Sequence, residues 1–316
     1  MTGPTGATRR RSANDDRSMN EPAAFDPFTV PVREAATVML VRDGDDGLEV
    51  FMLRRTLDAA FAGGMYVFPG GRLDDADRTP DVYGLCDGLS DADASGMLGV
   101  PAGGLAFWVA AIRECFEEAG VLLARSAGGE VVRFDRPDIE SRFTGHRHAV
   151  HEGTLSIVDL CAAEELRLLT DSIRYVSHWI TPIGERRRFD TRFLLARAPQ
   201  SQEPLHDDSE TIASLWVRPA DALDRFRRGE LAMISPTIAN LEFLVPHGTA
   251  DDALRAAERV GTPPAIQPKL RLDRDGRVVD LVLPGDPGYD TMDALDAVAV
   301  ALGPSSRPCS PGARSR

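Results

Sequence analysis

Residues 106–119 read AFWVAAIRECFEEA, a helical stretch that is apolar round most of its circumference yet carries Arg113, Glu114, Glu117 and Glu118. At 100° per residue the three glutamates fall within about 100° of arc, so three carboxylates share one face. Like charges three and four positions apart cost a helix a few tenths of a kcal/mol per pair, roughly, and the apolar remainder demands burial. A chain that folds around such a helix must bring positive charge to it. Arg113 stands four residues before Glu117 and can take one carboxylate; a hard divalent cation with oxygen ligands, Mg²⁺ or Mn²⁺, can take the rest. On its own an E-x-x-E-E face is equally what a solvated surface helix carries. Gly120 supplies the C-cap.

The rest of the chain supplies a sheet for this helix. Residues 36–42 and 48–54 are apolar, strand-like runs around Asp43-Gly44-Asp45-Asp46-Gly47, a hairpin pattern. Residues 65–68 read as a short buried strand ended by Pro69-Gly70-Gly71. Residues 73–104 hold seven Asp and one Arg among many Gly, and are expected to form a solvated insertion. Helix is expected over 137–169, and strands at 175–180, 189–196 and 211–217. Further helices open at Pro219 and at Ser235-Pro236, and a last hairpin joins 269–272 to 278–283. This mixture predicts an α/β (α+β) fold in which a sheet is covered on both faces. One domain over 32–302 is expected, with unstructured tails at 1–31 and 303–316 and Met19 as an alternative start.

Charge narrows the function. Asp and Glu number 49 against 36 Lys and Arg, a net charge of −13. Residues 1–18 carry +2 and 303–316 carry +3, so the stretch between them holds −18. A body so acidic repels nucleic-acid polymers, whose binding rests on Lys and Arg displacing counterions. No apolar run approaches the ~20 residues of a membrane span. Lys269 is the single lysine, which excludes a Walker A loop and leaves Schiff-base chemistry without a second catalytic group. Cys86, Cys115, Cys161 and Cys309 show no C-x-x-C spacing, so a reducing, cytoplasmic setting is expected. His146 and His148 would point about 200° apart on a helix and cannot share a zinc ion. Cys115, Phe107 and Trp108 read as core.

The string Arg113-Glu114-Cys115-Phe116-Glu117-Glu118-Ala119-Gly120-Val121 matches R-E-U-x-E-E-x-G-U, with U apolar, and Phe68-Pro69-Gly70-Gly71 precedes it in order. Together they resemble the Nudix box of the Nudix hydrolases. The box is split: Asp77 stands where a glutamate is usual, and 35 residues rather than seven separate it from Arg113. Such an insertion resembles one branch of the family, which includes peroxisomal coenzyme A diphosphatases. Residues 179–182 (WITP) and 188–193 (RFDTRF) look similar to that branch too, so that the resemblance covers about 33–290.

The resemblance implies a Nudix fold, with a mixed sheet between helices, and hydrolysis of a pyrophosphate in a nucleoside diphosphate linked to another group. Coenzyme A or acyl-CoA is the leading substrate, with ADP-ribose, NADH or a non-catalytic nucleotide-binding regulator as alternatives. It makes Glu114, Glu117 and Glu118 ligands of Mg²⁺ or Mn²⁺ and Arg113 their orienting partner. Glu117 and Glu210 are candidates for the general base. Arg54, Arg55, Phe68, Gly70 and Gly71 are candidates for substrate contact, the glycines because they let backbone turn beside phosphates. A homodimer is an allowed assembly.

Overall fold

The computed structural model describes residues 25–297 apart from 58, 60, 61 and 208. Of the expected tails, only 25–31 fall within the described residues; 298–302 also lie outside them.

The leading hairpin forms as β1 (Val32–Gly44) and β2 (Gly47–Arg55). Their direct ladder runs only from Val41↔Val50 to Gly44↔Gly47, beside the turn. Beyond it the strands splay, and the F-P-G-G segment fills the gap. On one side of that segment β3 (Tyr66–Val67) pairs with β2; on the other β4 (Gly70–Arg72) pairs with β1, Thr37 facing Gly70. Between them the Pro69 carbonyl accepts from the Val38 amide at 2.9 Å.

Residues 73–104, expected to be solvated, instead fold. They form a 3₁₀ turn (Asp75–Arg78), α1 (Pro80–Tyr83) and α2 (Asp91–Leu98). The many aspartates hide a sparse apolar set, Val82, Ala94 and Leu98, all buried in the core. Thr79 and Ser90 cap α1 and α2, which is why the polar composition does not prevent helix here.

The box helix is α3 (Leu105–Ala119), closed by Gly120 in the left-handed conformation at φ 70°. After β5 (Ala124–Ser126) the expected helix over 137–169 breaks into α4 (Pro137–His151), α5 (Ile157–Ala163) and β6 (Leu166–Leu168). Gly153 at φ 70° ends the first piece, and Leu166 and Leu168 turn inward in strand alternation against β5.

The remaining strands, β7 (Arg174–Ile180), β8 (Arg188–Arg197) and β9 (Thr211–Val217), and the helices α6 (Pro219–Arg227) and α7 (Ser235–Leu244) follow the expected positions. Next come α8 (Ala250–Glu258) and the short β10 (Ala265–Ile266). The final hairpin is β11 (Lys269–Leu272) with β12 (Val278–Val282), joined by β13 (Leu295–Ala297) in a separate small sheet.

The main sheet runs β10-β7-β8-β1-β2-β3, with β4 on β1 and β9 on β2. It is mixed, since β1 runs parallel to β8 but antiparallel to β2. Alternate residues of β1 feed opposite cores. Val38 and Leu40 join Phe107, Trp108 and Ile112 of α3, while Met39 and Val41 join Leu223, Leu241 and Ala253 of α6, α7 and α8. Helices therefore cover both faces. Trp108 is fully buried and its indole donates to the Ile173 carbonyl at 3.2 Å, which anchors α3 and fixes where its glutamates lie.

Candidate active site on the split sheet and the box helix

The site forms where the splayed end of the sheet meets the last two turns of α3. Backbone crowding requires glycine at position 70, and at position 71 a side chain would displace the Glu114 carboxylate. A Cβ on Gly70 would lie 2.5 Å from the Ala36 carbonyl oxygen, and one on Gly71 would lie 2.4 Å from Glu114 Oε1. The glycine pair thus lets backbone touch the carboxylates. The Gly70 amide donates to Glu118 Oε2 at 2.9 Å.

Arg113 organises the acidic face. Its Nη1 donates to Glu114 Oε1 at 2.8 Å and to Glu117 Oε1 at 3.1 Å. Its other edge grips Asp77, Nε to Oδ1 at 3.0 Å and Nη2 to Oδ2 at 2.9 Å, and Nη2 also reaches the Arg72 carbonyl at 3.0 Å. Burial works against the guanidinium charge, but Asp77, Glu114 and Glu117 more than offset it and hold Arg113 protonated. Asp77 is 2% exposed. Its short side chain, in the place of the usual glutamate, anchors Arg113 within the intact fold.

The other carboxylates are under-compensated. Burial outweighs Arg113 and pushes Glu114 up to about 7, and raises Glu117 in the same sense. Glu118 is buried and is pushed well above the ordinary range by burial first and by Glu114 second, against the pull of Arg55 and the Gly70 amide. Asp77, Glu114, Glu117 and Glu118 share two guanidinium groups, those of Arg113 and Arg55.

Arg55 extends the network. Its Nη1 lies 3.5 Å from Glu118 Oε1 and its Nη2 3.2 Å from Glu210 Oε2, while its buried Nε has no hydrogen-bond partner among the described residues. The site thus brings Glu210 beside the box helix from a loop 155 positions away in the chain from Arg55. Arg54 does not join it; its Nε donates to the Gly64 carbonyl at 3.3 Å.

Arg147 of α4 has no signal in a motif reading. Its Nε donates to the Glu117 carbonyl at 2.9 Å, and its Nη2 to the carbonyls of Glu118 at 2.8 Å and Leu205 at 3.0 Å. It closes the exposed carbonyl end of α3 and ties the loop that carries Glu210 to the same helix. The i,i+4 spacing from Phe143, buried against the core, would have marked the inward face of α4. His146 on that helix bonds Glu164 rather than another histidine. Cys115 is buried, as expected of a core position.

Among the described residues no group of three or more His, Cys, Asp or Glu side chains converges on a metal position, because Arg113, Arg55 and the Gly70 amide hold the carboxylates instead. The donor chemistry nonetheless fits a hard divalent ion: oxygen ligands alone, buried, with more negative charge than the two arginines match.

On the opposite side of Gly70 from α3 a cavity of about 310 Å³ opens. Arg55 and Gly70 stand at its lining, with Phe68, Trp179, Phe193, Met233 and Pro236. Phe68 is 2% exposed and forms part of the wall.

This split sheet, glycine pair and carboxylate helix define a Nudix-type hydrolase. The family model described as the NUDT19 Nudix domain matches residues 89–244, which contain the second half of the box. The chain is 28% identical over 284 residues to acyl-coenzyme A diphosphatase NUDT19 of Homo sapiens, covering 77% of this chain and 73% of that one. It is 27% identical over 257 residues to the protein of the same name from Gallus gallus, covering 66% and 67%. The solved structure of a Nudix hydrolase from Alicyclobacillus acidocaldarius matches at TM-score 0.60 and 28% identity, covering 75% of this chain and all of that one. In sequence and in fold the chain is similar to the Nudix hydrolases, and these matches support a Nudix pyrophosphohydrolase. No helix among the described residues is long and apolar enough to cross a membrane.

Proposed function

We propose that this protein hydrolyses the pyrophosphate of coenzyme A or an acyl-CoA, releasing adenosine 3′,5′-bisphosphate and a phosphopantetheine or its acyl derivative. The observation that carries the reading is the contact of Gly70 with Glu118, which sets a buried carboxylate against a glycine that lines an apolar cavity. The diphosphatase relatives supply the substrate class.

Glu114, Glu117 and Glu118 would hold Mg²⁺ or Mn²⁺, which when bound offsets phosphate charge and lowers the pKa of water. Arg113 holds Glu114 and Glu117 on one side, so that carboxylates sharing a face remain in place. Arg55, which lines the cavity, supplies a positive contact for a phosphate oxygen. Gly70 allows the substrate to approach backbone. Glu210 acts as general base: its side chain is 54% exposed although Arg55 lies 3.2 Å away, whereas Glu114 and Glu117 are 15% and 14% exposed against Arg113. It takes a proton from the attacking water as the new P–O bond forms and the bridging P–O bond breaks. The leaving group is itself a phosphate and needs little protonation.

The test is incubation with Mg²⁺ or Mn²⁺ and CoA, acyl-CoA, NADH, ADP-ribose and a diadenosine polyphosphate, with products identified by mass. Preferred cleavage of the CoA compounds is expected. Preferred turnover of ADP-ribose or NADH would replace the substrate, and no turnover at all would leave a binding module.

A further inference from the structure

We propose that the apolar cavity beside Arg55 and Gly70 seats the uncharged acyl-pantetheine arm of the substrate and leaves the nucleotide arm outside. This rests on the acyl-CoA reading above. Both Arg55 and Gly70 contact Glu118 and both line the cavity. A pyrophosphate held at these groups therefore directs one of its two arms inward.

The arms differ in charge. The nucleotide half of CoA carries a 3′-phosphate; the pantetheine half carries two amides and, when acylated, an aliphatic chain. Phe68, Trp179, Phe193, Met233 and Pro236 give the cavity an apolar wall, and its charged lining side chains are Arg55 and Glu185. Arg55 is already shared between Glu118 and Glu210. A phosphate lodged against the apolar wall would meet no lining cation besides Arg55, and Glu185, exposed at the cavity's edge, would repel it; removing such a charge from water without a partner is disfavoured. An uncharged arm meets no such penalty. Trp179, 4% exposed, adds its ring to the apolar wall.

Two measurements test this, one of them independent of any variant. In steady-state kinetics on the unaltered protein, KM should fall by up to about fourfold per added acyl methylene until the cavity is full. Fragment binding is read without turnover, by tryptophan fluorescence or calorimetry, using S-acyl-pantetheine and adenosine 3′,5′-bisphosphate. Met233→Trp, which fills the cavity, should weaken S-acyl-pantetheine at least tenfold and leave the bisphosphate unchanged. A KM indifferent to chain length, or a bisphosphate that alone loses affinity in Met233→Trp, overturns the assignment. Fragment binding as expected without hydrolysis of any CoA compound would instead sink the reaction and leave the cavity assignment standing.

Discussion

Asp77 and Arg113 meet edge to edge through two parallel bonds of 3.0 and 2.9 Å, although the insertion separates them by 36 positions in the chain. The pair closes the split box in space and leaves the remaining guanidinium nitrogen for Glu114 and Glu117. Asp77→Ala removes one partner of a buried pair and should cost about 3–5 kcal/mol of stability. Chemical denaturation measures it; a loss below about 1 kcal/mol would mean that the pair does not hold Arg113.

This pair also shows what could be read from sequence. Helix α3, its Gly120 cap and the F-P-G-G turn are legible because local spacing and space for backbone dictate them. Asp77 has the spacing of the box, but its role depends on how residues 73–104 pack, and aspartate-rich composition conceals the buried Val82, Ala94 and Leu98. Glu210 stands out only as an acid ahead of a strand; its approach to Arg55 follows from the β2–β9 ladder, a long-range pairing. Arg54 and Arg55 look alike in sequence, but a register shift between them leaves Arg55 at the site and Arg54 on the Gly64 carbonyl.

Burial makes the metal-free protein pH-sensitive. The folded-state pKa of Glu114 is raised to about 7, above its unfolded value, so its favourable contribution is complete below the unfolded pKa and is lost as pH rises through about 7. In EDTA, the melting temperature should fall between about pH 5 and 7.5, and Glu114→Gln should flatten that fall. Added Mg²⁺ should raise the melting temperature more at pH 7.5 than at pH 5, because ionised carboxylates bind it. A profile for Glu114→Gln identical to that of the unaltered protein would contradict this.

Arg147 should act through α3 rather than on substrate. Arg147→Ala removes three charge-assisted bonds to the Glu117, Glu118 and Leu205 carbonyls and should cost about 2–3 kcal/mol. Calorimetry should show a melting temperature lower by roughly 3–5 °C. The concentration of Mg²⁺ needed for half-maximal thermal stabilisation should rise as well, and Arg147→Lys should recover part of both. A drop in stability with unchanged Mg²⁺ dependence would limit Arg147 to packing.

Glu210 and Glu117 separate by kinetics. Glu210→Gln should lower kcat by roughly 10²–10⁴. Thermal stabilisation by Mg²⁺ should persist in it and be lost in Glu117→Gln. An unchanged kcat in Glu210→Gln would move the base to Glu117.

The central claim is that the Gly70–Glu118 corner hydrolyses a pyrophosphate within acyl-CoA. Turnover of acyl-CoA by the folded protein with Mg²⁺ in ¹⁸O-labelled water, analysed by mass spectrometry, tests it most directly. The account predicts adenosine 3′,5′-bisphosphate and acyl-phosphopantetheine in equal amounts, one ¹⁸O in one of the two new phosphates, and loss of at least about 10² in rate for Glu118→Gln. Intact acyl-CoA after prolonged incubation, or an unchanged rate in Glu118→Gln, would contradict it.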